Sequence, residues 1–455
     1  MPLDVIENVL SRFHGRIAAS VEDLLAVMSS WPVDHFQPAW ELPERTPALD
    51  SLFAPATLAA SSLGEYKGRQ LLFLDLTGNP RTRTTKTFGS LAIVARALRH
   101  IDTTGERVML VTPSSANKAV ALRDAVLRAY EAGLASPDSL RVAVVVPDSS
   151  LQKIWDSPLS GDPGLAEPNP IALYDGPRSE DVKDITTAAV TQVADEVLQD
   201  TGFRIWYSLD PRNYMLADVV RAFFEEEALP PGDRTRWHAH AVSSGYGFLG
   251  HDLGARSLLR ENPQRRGDTR YLLVQHLATP DLILGHRAAA DAYQVPEYAP
   301  EPQTGLYRQV GAGHPNFPAV CYSPTEQVEA TFYTRQPATT PLIRDLMTRH
   351  GGDGLVVSLP ECLARYQEAR RLLAAGGMTR LPLDPRRLRE WAMVMATVGA
   401  LTAIDRGLVP EDAEVLVHGS GAYSEGEYET PDPRQLHSVS TADDVALLLG
   451  KAARR

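Results

Sequence analysis

Short unbroken apolar runs, each closed by a polar turn and followed by an amphipathic stretch, constrain this chain more than any other feature. Val142-Ala143-Val144-Val145-Val146 is the plainest run. Leu71-Leu72-Phe73-Leu74, Val108-Met109-Leu110-Val111, Ile205-Trp206-Tyr207-Ser208, Tyr271-Leu272-Leu273-Val274 and Glu414-Val415-Leu416-Val417 repeat the pattern. A strand apolar on both sides must be covered on both faces, and a parallel sheet between helix layers provides that cover. Apolar spacing predicts the helices over residues 88–98, 118–132, 184–198, 215–227, 358–375 and 385–405. The expected fold class is therefore α/β, with two lobes that are each an open, mostly parallel sheet flanked by helices. The expected organisation is an N-terminal arm over 1–45, a large α/β domain from 46–98 with 216–455, and a small α/β domain over 99–215. Residues 1–45 open on a helical pattern (Val5, Val9, Leu10, Phe13), residues 158–171 read as a loop, residues 226–235 as a crossing between lobes, and residues 296–341 as loop-rich.

Composition narrows the function classes. A net charge of −12 without a long Lys/Arg run argues against a nucleic-acid or anionic-membrane partner. Two cysteines, Cys321 and Cys362, exclude a disulfide framework and a thiolate metal site. No basic leader and no apolar run of spanning length is visible, so the expected location is the cytoplasm. His238 and His240 share one strand face, with His251 nearby, but no carboxylate or cysteine spacing supports a metal, and none is expected.

Ligands of open parallel sheets sit at the carboxyl ends of the strands. Four turns there carry candidate chemistry. The first, Asn79-Pro80-Arg81-Thr82-Arg83-Thr84-Thr85-Lys86, places a lysine where a helix begins. There the dipole and free N–H groups disfavour an ammonium, and a neutral amine is what Schiff-base chemistry needs. The second, Ser114-Ser115-Ala116-Asn117, suits a carboxylate or a phenolic oxygen, and an ordinary helix cap equally well. The third is Ser243-Ser244-Gly245-Tyr246-Gly247-Phe248-Leu249-Gly250, whose glycines let backbone amides close on a phosphate. It also fits G-x-G-x-x-G, but a dinucleotide site wants an acid about 20 residues on, at the next strand end. That strand ends Val274-Gln275-His276, and the first acid beyond it is Asp281, which favours a monophosphate cradle. The fourth, His418-Gly419-Ser420-Gly421-Ala422-Tyr423, can hold one heteroatom of a flat ligand.

In this order and at these separations the four turns resemble the fold-type II pyridoxal-phosphate enzymes, the tryptophan synthase β superfamily. The likeness runs from about residue 70 to 430 and is nearest the threonine synthase and cysteate synthase-like branch. It implies a cofactor, pyridoxal 5'-phosphate, in the cleft between the lobes. By the resemblance Lys86 is the catalytic lysine and carries that cofactor as a Schiff base. Asn117 meets its 3′-oxygen, Ser244, Gly245, Tyr246, Gly247 and Phe248 hold its phosphate, and His418 or Ser420 faces its ring nitrogen. Arg81, Arg83, Thr85, Ser114 and Ser115 are the expected substrate residues. Weaker echoes are Val146-Pro147 followed by Lys153, and Leu359-Pro360-Glu361 opening a helix. The departures are an extra residue in the lysine turn, Arg81 and Arg83 in place of small residues, Thr87 in place of Asp, and Ala116 in place of Gly. The turn ending in His418 or Ser420 has two possible registers.

The implied activity is that of a lyase or transferase of amino-acid metabolism, working by β- or γ-elimination or replacement on an amino acid with an anionic or activated side chain. A homodimer is implied as well. Two other classes remain open in the sequence. One is a catalytically silent scaffold that binds or regulates, invited by the altered lysine turn. The other is a nucleotide-dependent oxidoreductase, resting on the G-x-G-x-x-G match alone.

Overall fold

The apolar runs become strands of two sheets in a computed structural model that describes residues 2–230, 232–264, 267–288 and 290–455. The chain divides into two compact units. The first comprises Met1–Ile6, Thr57–Gly78 and Arg221–Glu425; the second comprises Glu7–Ala56, Asn79–Val220 and Gly426–Arg455.

The first unit holds a seven-stranded sheet in the order Pro2–Ile6, Leu58–Tyr66, Arg69–Asp75, Glu414–Gly419, Arg236–Ala241, Thr269–His276 and Gly352–Val357. The first two pairings are antiparallel and the remaining four parallel. Alternation along the strands sends Phe73, Trp237, Ala239, Val274, Val415 and Val417 into one apolar cluster, which helices Leu359–Ala375 and Ala392–Asp405 complete. The residues between them, His238, His240, Tyr271 and His418, belong to the opposite face, and all are buried. A small three-stranded sheet, Tyr298–Glu301, Leu306–Gln309 and Val320–Cys321, stands apart from the large one in this unit.

The second unit is built on a five-stranded sheet in the order His437–Val439, Ile171–Tyr174, Leu140–Pro147, Arg107–Pro113 and Phe203–Tyr207, parallel throughout. Every residue of Leu140–Pro147 is buried, which is why that run has no polar alternation. Helices Lys86–Thr104 and Asn117–Glu131 pack together in this unit, as do Val182–Thr201 and Ala442–Arg454.

The expected α/β class of parallel sheets flanked by helices is what forms. Local expectations needed correction. Val5 lies in an edge strand, and helices begin only at Val9. Leu388 is extended and bridges Ser424, so the helix expected from 385 starts at Ala392. The helix expected over 215–227 is two, Pro211–Asp218 and Val220–Ala228. Two short proline-initiated helices, Pro158–Gly161 and Pro163–Ala166, occupy the expected loop at 158–171.

Candidate active site

In the second unit, Asn79 organises the lysine turn. Its Nδ2 donates to Asp124 Oδ2 at 2.8 Å and to Thr87 Oγ1 at 3.3 Å, and its Oδ1 accepts from the Arg81 amide at 3.1 Å and Arg128 at 3.2 Å. Thr82 and Thr87 share a hydroxyl contact of 2.7 Å. Thr87, where the resembling family keeps an acid, thus closes the turn on itself. Arg83 sits at φ 50°, in the left-handed region. Thr85 is the cap residue and Lys86 the first residue of helix Lys86–Thr104, so the amine is carried at the positive end of a 19-residue helix. Arg81 turns its guanidinium to Glu131, at 2.9 Å, and to Asp124, at 3.6 Å.

The serine turn opens helix Asn117–Glu131. Ser114 Oγ accepts from the amides of Ala116 at 3.1 Å and Ala119 at 3.0 Å, so its side chain serves the backbone. Ala116 adopts φ 127°, ψ −63°, a conformation that favours glycine. Ser115 is half-buried and Asn117 is the first helical residue. Sequence reasoning passed over the next residue. Lys118 is buried, and its Nζ lies 5.5 Å from the centroid of the Tyr214 ring; Lys86 Nζ lies 5.7 Å from the same centroid. Burial, and then the charge of Lys86, hold the Lys118 amine well below its ordinary pKa.

The glycine-rich loop belongs to the first unit. Gly245, at φ 73°, precedes helix Tyr246–Glu261, and the Ser244 carbonyl accepts from Thr339 Oγ1 at 2.6 Å. A Cβ on Gly247 would come within 2.7 Å of the guanidinium carbon and both terminal nitrogens of Arg221, so that cation lies flat against the loop. An anion cradle made of a helix N-terminus and a buried guanidinium suits a phosphate. Phe248 points elsewhere. Its ring is buried beside Tyr271, 4.8 Å between centroids, and its amide donates to the Gly245 carbonyl at 3.1 Å.

His418 lies within a buried chain of polar groups in the same unit. Arg221 NH1 is 3.2 Å from His418 Nδ1, and an arginine can only donate, so Nδ1 accepts. Burial, with Arg221 beside it, keeps this imidazole neutral by pushing its pKa well down. The remaining proton is then on Nε2, 3.1 Å from His238 Nδ1. Close by, His251 Nε2 lies 3.1 Å from Glu225 Oε1, within ion-pair distance, and its Nδ1 meets the Tyr271 hydroxyl at 2.9 Å. Burial raises the Glu225 carboxyl, but His238, His251 and Arg236 outweigh it and hold the group below the usual carboxylate range. Glu225, His238 and His251 offer ligand atoms within 4.8 Å of one another. Arg236, 3.2 Å from Glu225 Oε2, already balances that carboxylate, and no metal is assigned here. Ser420, two residues past His418 and beyond the strand end, is buried in the turn whose Gly421 carbonyl accepts from the Met393 amide at 3.0 Å.

The expected residues therefore divide between the units. Arg81, Arg83, Thr85, Lys86, Ser114, Ser115 and Asn117 belong to the second, and Ser244, Gly245, Tyr246, Gly247, Phe248, His418 and Ser420 to the first. Lys118, Tyr214 and Arg221 had no motif to mark them. Lys118 stood in the open as a charged residue at an apolar helix position directly after Asn117.

Among solved structures, the chain is similar to the pyridoxal-phosphate-bound threonine synthase of Brucella melitensis at 12% identity, covering 96% of this chain and 89% of that one with a TM-score of 0.51. It is also similar to a cysteine synthase of Entamoeba histolytica, at 11% identity, 92% and 98% coverage and a TM-score of 0.46. The processed form of threonine deaminase isoform 2 from Solanum lycopersicum gives 12%, 90% and 86%, and 0.47. The threonine synthase likeness shows a shared fold. No curated protein matches the chain. Residues 5–453 match one family over nearly the whole length, and the chain belongs to that family, described as "Family of unknown function (DUF6002)".

Proposed function

We propose that this chain is a pyridoxal-phosphate-dependent enzyme acting on an amino acid, by elimination or replacement at its β or γ carbon. The observation that carries the reading is Lys86, held at the first position of a long helix by a turn wired through Asn79, Thr82 and Thr87. The phosphate falls to the loop Ser244–Gly247, where Gly247 lies against the Arg221 guanidinium. When bound, the cofactor supplies an aldehyde that condenses with amines and a ring that stores carbanion charge.

The chain's own residues do the rest. Lys86 Nζ would hold the cofactor by its aldehyde, and the same amine would serve as the base for the proton on the substrate Cα. Asn117 would donate to the phenolic oxygen. Ser420 is assigned the ring nitrogen, because both nitrogens of His418 already face Arg221 and His238. A hydroxyl there would supply no proton as an acid does, a partner that suits elimination better than transamination. Arg83, Thr85 and Ser115 contact the substrate. Arg81 is left out, since Glu131 and Asp124 occupy its guanidinium. The same reading takes the enzyme as a cytoplasmic homodimer.

Purified protein supplied with pyridoxal phosphate should show visible absorbance, and Lys86→Ala should abolish it together with turnover. A protein that stays colourless overturns the reading and leaves a binding scaffold. Undiminished colour in Lys86→Ala removes Lys86 from its role.

A further inference from the structure

Lys118 Nζ is buried and makes no hydrogen bond. A buried donor left unpaired destabilises a fold, and an apolar side chain of the same length would avoid the cost. Among the described residues, one acid is found to act on its charge. Asp210, the acid that acts on it, is paired with Arg212 at 2.5 Å, while Lys86 and Lys183 oppose its charge. Yet the surroundings are arranged for a cation. The Tyr214 ring presents its face to the amines of both Lys118 and Lys86. That ring is seated against Gly89, three residues past Lys86, where a Cβ would come within 2.5 Å of the ring. Lys118 also immediately follows Asn117, in the first turn of the helix that the serine turn opens. A desolvated amine so placed gains most from an arriving oxyanion, which restores its charge and its missing partner.

We propose that Lys118 Nζ receives an oxyanion of the amino-acid substrate, a carboxylate or phosphate oxygen, at the Lys86 site. This rests on the reading of Lys86 as the lysine of an amino-acid enzyme. The oxyanion has two possible sources, the α-carboxylate or an acidic side chain.

The test compares wild type and Lys118→Met, both loaded with pyridoxal phosphate, by titrating the visible spectrum with L-serine, O-phospho-L-serine and phosphoethanolamine. Loss of a charge-assisted contact should weaken binding about tenfold or more. A side-chain source weakens O-phospho-L-serine and phosphoethanolamine. An α-carboxylate source weakens L-serine and O-phospho-L-serine. Equal affinities in the two proteins for all three compounds overturn the proposal. An unchanged or higher melting temperature shows that the variant is folded; should it not fold, Lys118→Gln carries the same comparison. If neither protein takes up the chromophore, the functional reading fails, and the inference is judged on the unloaded wild type. O-phospho-L-serine should then protect Lys118 from acetic anhydride, read by peptide mass, and absence of protection overturns it.

Discussion

Two buried polar regions of this chain answer the same physical problem to different degrees. In the first unit, Arg221, His418 and His238 form one line of donors and acceptors, His251 meets Tyr271 and lies within ion-pair distance of Glu225, and Arg236 balances the carboxylate. In the second unit, Lys118 is equally buried and has no hydrogen-bond partner. Glu225 Oε1 and His238 Nε2 are left without a hydrogen bond, yet each of these residues is held by another contact, and a linked network of this kind specifies structure because each member is placed by the next. An unsatisfied amine has a stability cost that only a ligand can return. The first region is therefore the rigid support of the turn ending in His418 and Ser420, and the second is the responsive part.

The largest effect expected from this contrast is in the supported region. Glu225→Ala removes the anion beside the two histidines and leaves Arg236 to Glu414 alone, and should destabilise the protein by about 3–5 kcal/mol in urea unfolding. A loss under 1 kcal/mol would show that the network is not load-sharing. Next comes the buried His276, which receives the Val328 amide on Nδ1 at 3.0 Å and donates from Nε2 to the Phe332 carbonyl at 3.0 Å. Burial pushes its pKa down from 6.5 to about 4. The folded pKa is the lower one, so below pH 6.5 the unfolded chain binds a proton that the folded chain refuses. Stability from this group is complete above that pH, falls as pH drops, and is gone near pH 4, a change of about 3 kcal/mol. His276→Asn should flatten this acid slope relative to wild type.

Smaller and opposite in sign is Lys118→Met, expected to raise stability by about 1–3 kcal/mol by removing an unpaired buried donor. Destabilisation of that size would mean that the amine is structurally partnered and would erase the contrast. The smallest is Ala116→Gly. It relieves a side chain held at positive φ against a higher unfolded-state entropy, for a net change within about 1 kcal/mol.

The sheets were legible because buried parallel strands advertise themselves as unbroken apolar runs, as Val142 to Val146 does. Strand Leu58–Tyr66 was not legible: it lies next to the sheet edge, and its Ser61-Ser62-Leu63-Gly64 stretch carries no apolar rhythm. The turns with glycine, serine and lysine could be named from the chain, since local backbone chemistry dictates those residue types. Arg221 and Tyr214 could not, because each acts on a glycine distant in sequence, Gly247 and Gly89, and only folding brings the pairs together. Thr87 could be recognised as a departure from the family pattern, but its hydrogen bonds to Asn79 and Thr82 needed coordinates. For the same reason the two registers at His418 and Ser420 stayed open in sequence. The choice depends on what already faces the imidazole.

Strand Glu414–Gly419 runs between Arg69–Asp75 and Arg236–Ala241, at the centre of the first unit's sheet. During synthesis, both of its neighbours leave the ribosome well before it. The nascent sheet must therefore wait with an open seam, its two halves unpaired, until the strand bearing His418 arrives to join them. Contacts so distant along the chain make for slow closure, and a ribosome that stalls before residue 414 would release a chain with two exposed strand edges prone to pairing with other chains.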